Sequence, residues 1–271
     1  LRLRELRRNA ALTGKQLAEE LGWPASKISK LENGRQTPTD DDIVAWAQAT
    51  NAEPLVTELL ASLHTLEVQH AEWQRQLQTG LHSHQSELAE LDEKTKLFRA
   101  FEPTFVPGLL QTAEYARARF AQSITVFKVP NDIDAAVRTR VQRQEILYRQ
   151  DKRFHFVLTE ATLRYRLCSR DVMLAQLDRL VALSALRNVR LGIIPFDIQY
   201  VVAPTHGFWL LDNQRVMVET FSAELNLAQP QEIELYSLIF EQLAGVANYG
   251  AAARAVLTRV IDGLASEQPT E

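Results

Sequence analysis

The stretch TGKQLAEELGWPASKISKLENG, residues 13–34, constrains this chain more than any other part of it. Two short amphipathic segments follow one another with a glycine and a proline between them. Thr13 is a good N-cap, and Gln16 three residues later completes a capping box. Leu17, Ala18 and Leu21 form one apolar stripe. Gly22 falls where a left-handed residue ends a helix, and Pro24 brings a preset φ to the start of the next. Ile28 and Leu31 point inward from ASKISKLEN, which Gly34 closes. Upstream, LRLRELRRNAAL places Leu3, Leu6 and Ala10 on one helical stripe. Downstream, Thr39 with Asp42 repeats the capping-box pattern, and Asp40 and Asp41 suit the positive end of a helix. Ile43, Trp46 and Ala47 then face the bundle. The prediction is an all-α head over residues 1–52 whose middle pair is a helix-turn-helix.

In that motif the second helix lies in the major groove. Its outward face carries Ala25, Ser26, Ser29, Lys30 and Asn33. Ser26, Ser29 and Lys30 can hydrogen-bond base edges, with Lys favouring guanine. Lys15, Gln16, Lys27 and Arg35 complete the expected DNA-binding set, the three cations as phosphate contacts that add affinity without sequence information. Charge distribution favours the same reading. Residues 1–39 hold eight basic and four acidic side chains, 8 − 4 = +4, and the net charge of −4 leaves −8 for the rest. A basic head on an acidic body is expected when only the head meets phosphate. The competing reading is a helical bundle that binds a protein instead.

The string ISKLENGRQTPT, preceded by LAEELGW, resembles the lambda-repressor-like (XRE) helix-turn-helix family. The resemblance implies a structural ion pair between Arg7 and Glu32. It also implies a sequence-specific transcriptional regulator that is DNA-binding; as a homodimer, its two heads would read half-sites one helical turn apart, so an inverted repeat is expected. This chain departs from many relatives in carrying Ala25 and two serines where they carry glutamines, and Gly14 at the first position of the preceding helix, so its operator sequence stays open.

Residues 53–96 read as a helical connector. Leu59, Leu63, Leu66, His70, Trp73 and Leu77 form a heptad-like seam. The pattern slips at Gly80 and resumes at Leu81, His84, Leu88, Leu91, Thr95 and Phe98. The seam is either a dimer contact and lever or a stripe packed on the body. Residues 97–271 read as an α+β domain with a mixed, partly antiparallel sheet. Strands are expected in FRAFEPTFV, RFHFVLT, NVRLGIIPF, GFWLL and RVMVETF, the last two joined as a hairpin across Asp212–Asn213. Helices are expected after Thr112, over 131–150, 171–186, 230–244 and 249–264.

FEPTFVPGLLQTAEYARARF, RVQRQEIL, LTEATLR and NVRLGIIPF together resemble the C-terminal domain common in actinobacterial regulators with this same head, some of them antitoxin-like or developmental. That resemblance implies a regulator modulated by a small partner protein encoded nearby or by a small-molecule ligand. An antitoxin-like chain that mainly sequesters the partner is the alternative. The chain departs from relatives at RYRLCS, where they tend to carry a glycine. Pro107, Gln111, Thr112, Tyr115, Arg140, Arg143, Gln144 and Glu160 are the candidate partner or ligand site. The competing reading makes them a turn, an N-cap and buried polar braces of the sheet.

No phosphate-cradling glycine loop or GxSxG elbow occurs, and no apolar run approaches the length of a membrane span. The single cysteine, Cys168, excludes an internal disulfide framework and reads as an apolar filler. His82 and His84 point to different faces of a helix. Glu160, Asp197 and His206 have no catalytic spacing. The expectation is therefore no enzyme, no cofactor, no metal and no membrane, in a cytoplasmic protein with no secretory leader pattern.

Overall fold

The computed structural model describes residues 2–36, 38–60, 80–221 and 223–267 of the 271. The chain divides into two compact units, residues 1–71 and 72–271.

In the head, α1 (Arg2–Asn9), α2 (Gly14–Leu21), α3 (Ala25–Glu32) and α4 (Asp40–Ala49) follow in order. Both capping boxes form, at Thr13–Gln16 and Thr39–Asp42. Each such cap stabilises its helix by about 1 kcal/mol. Gly22 is left-handed at φ 64° and returns its N–H to the end of α2. Leu6, Leu17, Ile28, Leu31, Ile43 and Trp46 make one buried core. The Trp46 indole N–H donates to the Leu3 carbonyl at 3.1 Å, so the largest side chain of that core is also polar-satisfied. Leu55, Val56, Leu59 and Leu60 pack on the same cluster. The head therefore runs past residue 52, because its apolar surface is not covered until these leucines are added. Leu63, Leu66, His70, Trp73 and Leu77 of the expected seam lie outside the described residues.

The second half of that seam belongs to the body. Helix α5 (Leu81–Lys94) buries Leu81, Gln85 and Asp92, a partly polar stripe in place of the apolar one expected. Thr95 has left the helix, and Phe98 sits in a strand. Lys152, only 1% exposed, holds the end of α5. Its ammonium donates to the carbonyls of Asp92, Glu93 and Thr95 at 2.7, 2.9 and 2.6 Å. A cation there meets the negative end of the helix and its unpaired carbonyls together.

Seven strands of the body form one sheet in the order β6-β5-β4-β1-β2-β3-β7. They are β1 (Leu97–Glu102), β2 (Arg153–Thr159), β3 (Val189–Ile194), β4 (Phe208–Leu211), β5 (Arg215–Glu219), β6 (Glu224–Leu227) and β7 (Asn248–Tyr249). The central β1, β2 and β3 are parallel and the flanking pairs antiparallel. The β4–β5 hairpin turns at Asp212 and Asn213, both left-handed at φ 49° and 55°. That is the turn whose twist matches paired strands.

Helices α6 (Ala113–Phe127) and α7 (Ile133–Arg143) connect β1 to β2; α8 (Glu160–Arg164) and α9 (Arg170–Leu183) connect β2 to β3. Helices α10 (Pro230–Gly245) and α11 (Gly250–Ser266) close the chain. Side chains alternate across the sheet. Phe98, Phe154, Phe156 and Leu191 join Leu177 of α9 and Leu257 of α11. Phe101, Val157, Leu210 and Val216 face Phe240 and Leu243 of α10.

Candidate functional site

Ile28 and Leu31 seat α3 in the head's core, which turns the opposite side of the helix to solvent. Ala25, Ser26, Ser29, Lys30 and Asn33 are all exposed there. Lys15, Gln16 and Arg35 are exposed beside them. Glu32 ends α3 and is buried. It receives Arg7 Nε at 2.5 Å and Arg7 Nη2 at 3.1 Å. Arg4 Nε adds a bond at 3.2 Å, a second arginine that the sequence pattern did not reveal. Burial pushes the Glu32 carboxyl up, but the bonds from Arg7 and Arg4 outweigh it and hold it below the usual range. This clasp ties α1 to α3 and fixes the angle at which α3 is presented.

Two of the expected contacts are engaged inside the head. Lys27 places its ammonium 2.6 Å from Asp42 Oδ1 and 3.8 Å from the centre of the Trp23 ring. Asp42, already the capping partner of Thr39, is held below its usual range: burial raises it, and the bonds from Lys27 and Thr39 prevail. Asn33 accepts from Arg4 at 2.6 Å and donates to the Ser29 carbonyl at 2.7 Å. Lys27 and Asn33 thus brace α3 within the head. Lys30, Arg35 and Ser26 make no hydrogen bond or ion pair through their side chains among the described residues. Lys15 has only a loose approach to Glu19 at 3.9 Å, both side chains largely in water.

In the body, most of the candidate residues meet in one buried polar brace. Arg140 donates to Gln85 and Gln111, each at 2.7 Å. Arg143 reaches Asp92 at 2.8 Å and Gln85 at 2.6 Å. The Gln144 amide donates to the carbonyls of Gly108 and Gln111, and Arg179 donates back to it at 2.6 Å. Thr112 caps α6, and its own N–H goes to Gln176. The Tyr115 hydroxyl accepts from the Val106 N–H, and the Pro107 carbonyl accepts from the Leu110 N–H. These residues spend their polar groups on one another, as a structural brace does.

Residues 85–259 match the model of a domain of unknown function (DUF5753). The chain belongs to the DUF5753 family. Residues 1–60 match a helix-turn-helix domain, in agreement with the head's geometry. No curated protein matches the chain.

Glu160 stands apart from the brace within the DUF5753 domain. It is 3% exposed and bonds Arg164 on α8, Arg259 on α11 and the Phe196 N–H. It staples the ends of β2 and β3 to α11. Cys168 is half-buried against the core, and burial pushes its thiol up. His206 bonds the Tyr236 hydroxyl at 3.0 Å, so Glu160 and His206 serve different neighbours. Sequence reasoning missed Glu102, Glu219 and Arg119. Glu102 is 5% exposed, and burial with Glu219 nearby pushes its carboxyl up to about 8. No spacing rule brings Glu102 and Glu219 onto one face of the sheet, because only the strand register does.

Proposed function

We propose that this DUF5753 protein is a lambda-repressor-like (XRE-type) transcriptional regulator that reads double-stranded DNA as a dimer. The observation that carries the reading is the free outer face of α3. Ser26, Ser29 and Lys30 stand exposed on a helix whose end and flank are held by Glu32, Asn33 and Lys27. Arg35 and Lys15 flank that face as phosphate contacts. Two heads reading half-sites about one helical turn apart require an inverted repeat. The body dimerises and senses a ligand or a partner protein, in the cytoplasm. An effector acts only by binding one arrangement of the two heads better than the other.

Lys30→Ala should weaken binding to the operator by about 1–3 kcal/mol and leave random DNA nearly unaffected. Lys15→Ala should weaken binding to every sequence and reduce the slope of log affinity against log salt by about one. Fluorescence anisotropy across a salt series measures both. Equal losses on operator and random DNA for the two variants would refute this division of roles.

A second reading, an antitoxin-like chain whose body sequesters a small partner protein, is favoured by exposed apolar side chains. Phe196, Val201 and Phe221 are 62%, 69% and 88% exposed. Deleting the head separates the two readings. A body that still neutralises a small partner protein makes sequestration the main activity.

A further inference from the structure

Strand β6 forms one edge of the sheet. On its inner side it pairs with β5: Val216 with Leu227, Met217 with Asn226, Val218 with Leu225 and Glu219 with Glu224. Pairs in an antiparallel ladder alternate between those that exchange backbone bonds and those that do not. The Thr220 N–H donates to the Ala223 carbonyl at 2.9 Å, which sets the phase. Leu225 and Leu227 therefore spend their backbone groups on β5, and the N–H and C=O of Glu224 and Asn226 face away from it. Among the described residues these groups have no partner on that side. Folded proteins guard such an edge with lysine, proline, a bulge or a short strand. The sequence ELNL carries no lysine or proline and its register is regular, so only its shortness guards it.

This edge is complementary to itself. A two-fold axis through Leu225 sets Glu224 of one chain opposite Asn226 of a second copy, and Asn226 opposite Glu224. Each of these pairs can exchange two backbone bonds, because the groups that face outward are the ones the pairing needs. The side chains match as well. Like charges do not meet, since each Glu224 faces an amide. The Asn226 amide donates one N–H to its own Glu224 at 2.9 Å, which leaves its second N–H for the carboxylate of the second copy.

The two ends of β6 supply a knob and a hole. Phe221, in the turn between β5 and β6, is 88% exposed. Past the other end of β6, a cleft of about 530 Å³ opens between the β4–β5 turn and the start of α10, with Ala228, Pro230 and Ile233 as its apolar lining. Pairing about Leu225 sets residue 221 of each chain opposite residue 229 of the other, between Ala228 and Pro230. Each Phe221 therefore arrives at the mouth of the other chain's cleft. A phenylalanine brings about 150–250 Å² of surface, and two of them supply apolar area that a four-residue strand lacks. We propose that β6 is the seam at which two copies of this body join into one continuous sheet, with Phe221 of each copy seated in the cleft of the other. The seam rests on the reading of the protein as a dimer and names the surface that makes it.

The test is sedimentation velocity of the full chain without DNA, from about 1 to about 100 µM. The wild type should pass from monomer to dimer within or below that range. Asn226→Pro removes an N–H that β5 does not use, so it spares the ladder inside the body and should weaken dimerisation about tenfold or more. Phe221→Ser, at a side chain mostly in water, should weaken it similarly with unchanged circular dichroism. In a Cys168→Ala background, Leu225→Cys should give a disulfide-linked dimer on mild oxidation, because residues meeting on the axis come within disulfide reach. A wild-type dimer that persists undiminished in both Asn226→Pro and Phe221→Ser, or in which Leu225→Cys never cross-links, overturns the seam and leaves the dimer reading standing. A wild type that stays monomeric at about 100 µM overturns both.

Discussion

Replacing Glu32 by Gln should destabilise the head by about 3 kcal/mol, the low end of the cost of breaking a buried ion pair from one side. Glu32 is 8% exposed and carries two arginines. Without its charge, Arg7 keeps a mostly buried guanidinium whose remaining partner is the Leu12 carbonyl at 2.7 Å. Arg4 is more exposed and returns to water, which keeps the loss near the low end. In a domain this small, about 3 kcal/mol lowers the melting temperature by about 12–24 °C. The pH dependence has a definite sign. The folded pKa of Glu32 is lowered, so its stabilisation is fully present above the unfolded carboxylate pKa and disappears as pH falls through the folded one. Wild type and Glu32→Gln should therefore converge in acid. A melting difference that persists unchanged at pH 2 would refute the clasp as the cause.

Arg143→Met should destabilise the DUF5753 domain by about 3–5 kcal/mol. Arg143 joins α7 to α5 through Asp92 and Gln85, and Asp92 is itself 5% exposed. The variant leaves the Asp92 carboxyl buried without its arginine, while Gln85 keeps only the bond from Arg140. Burial already holds the Asp92 carboxyl above its usual range against the pull of Arg143, so loss of the arginine drives it further toward the neutral form. Adding Asp92→Leu should recover much of the loss, because an apolar pair of similar volume avoids both desolvation costs. Urea unfolding of wild type, the single variant and the double variant measures this. A loss below about 1 kcal/mol for Arg143→Met, with altered ligand or partner binding, would instead favour the recognition reading of this cluster.

The head was legible because its signals are local. A capping box spans four residues, and Gly22 announces its own left-handed turn. What could not be read were contacts between elements: Arg4 on Glu32, Arg4 on Asn33 and Lys27 on Asp42 all depend on how α1, α3 and α4 meet. In the body the Asp212–Asn213 hairpin was visible for the same local reason. The parallel order of β1, β2 and β3 was not, since 50 residues lie between β1 and β2 and 29 between β2 and β3. The four-residue β6 and two-residue β7 are too short for alternation to show. Lys152, in the charged run RQDKRF, reads as a solvated surface residue, and only the fold reveals three carbonyls waiting for it. Glu102 reads as the polar end of a strand until the register places Gly207 and Glu219 beside it.

The most direct measurement of the central claim is selection of bound fragments from a random-sequence DNA pool by the full chain at near-physiological salt. The account predicts enrichment of an inverted repeat with half-site centres about one helical turn apart, and loss of that enrichment in Lys30→Ala. A well-folded chain that enriches no sequence, or one whose half-sites ignore the helical period, would contradict it.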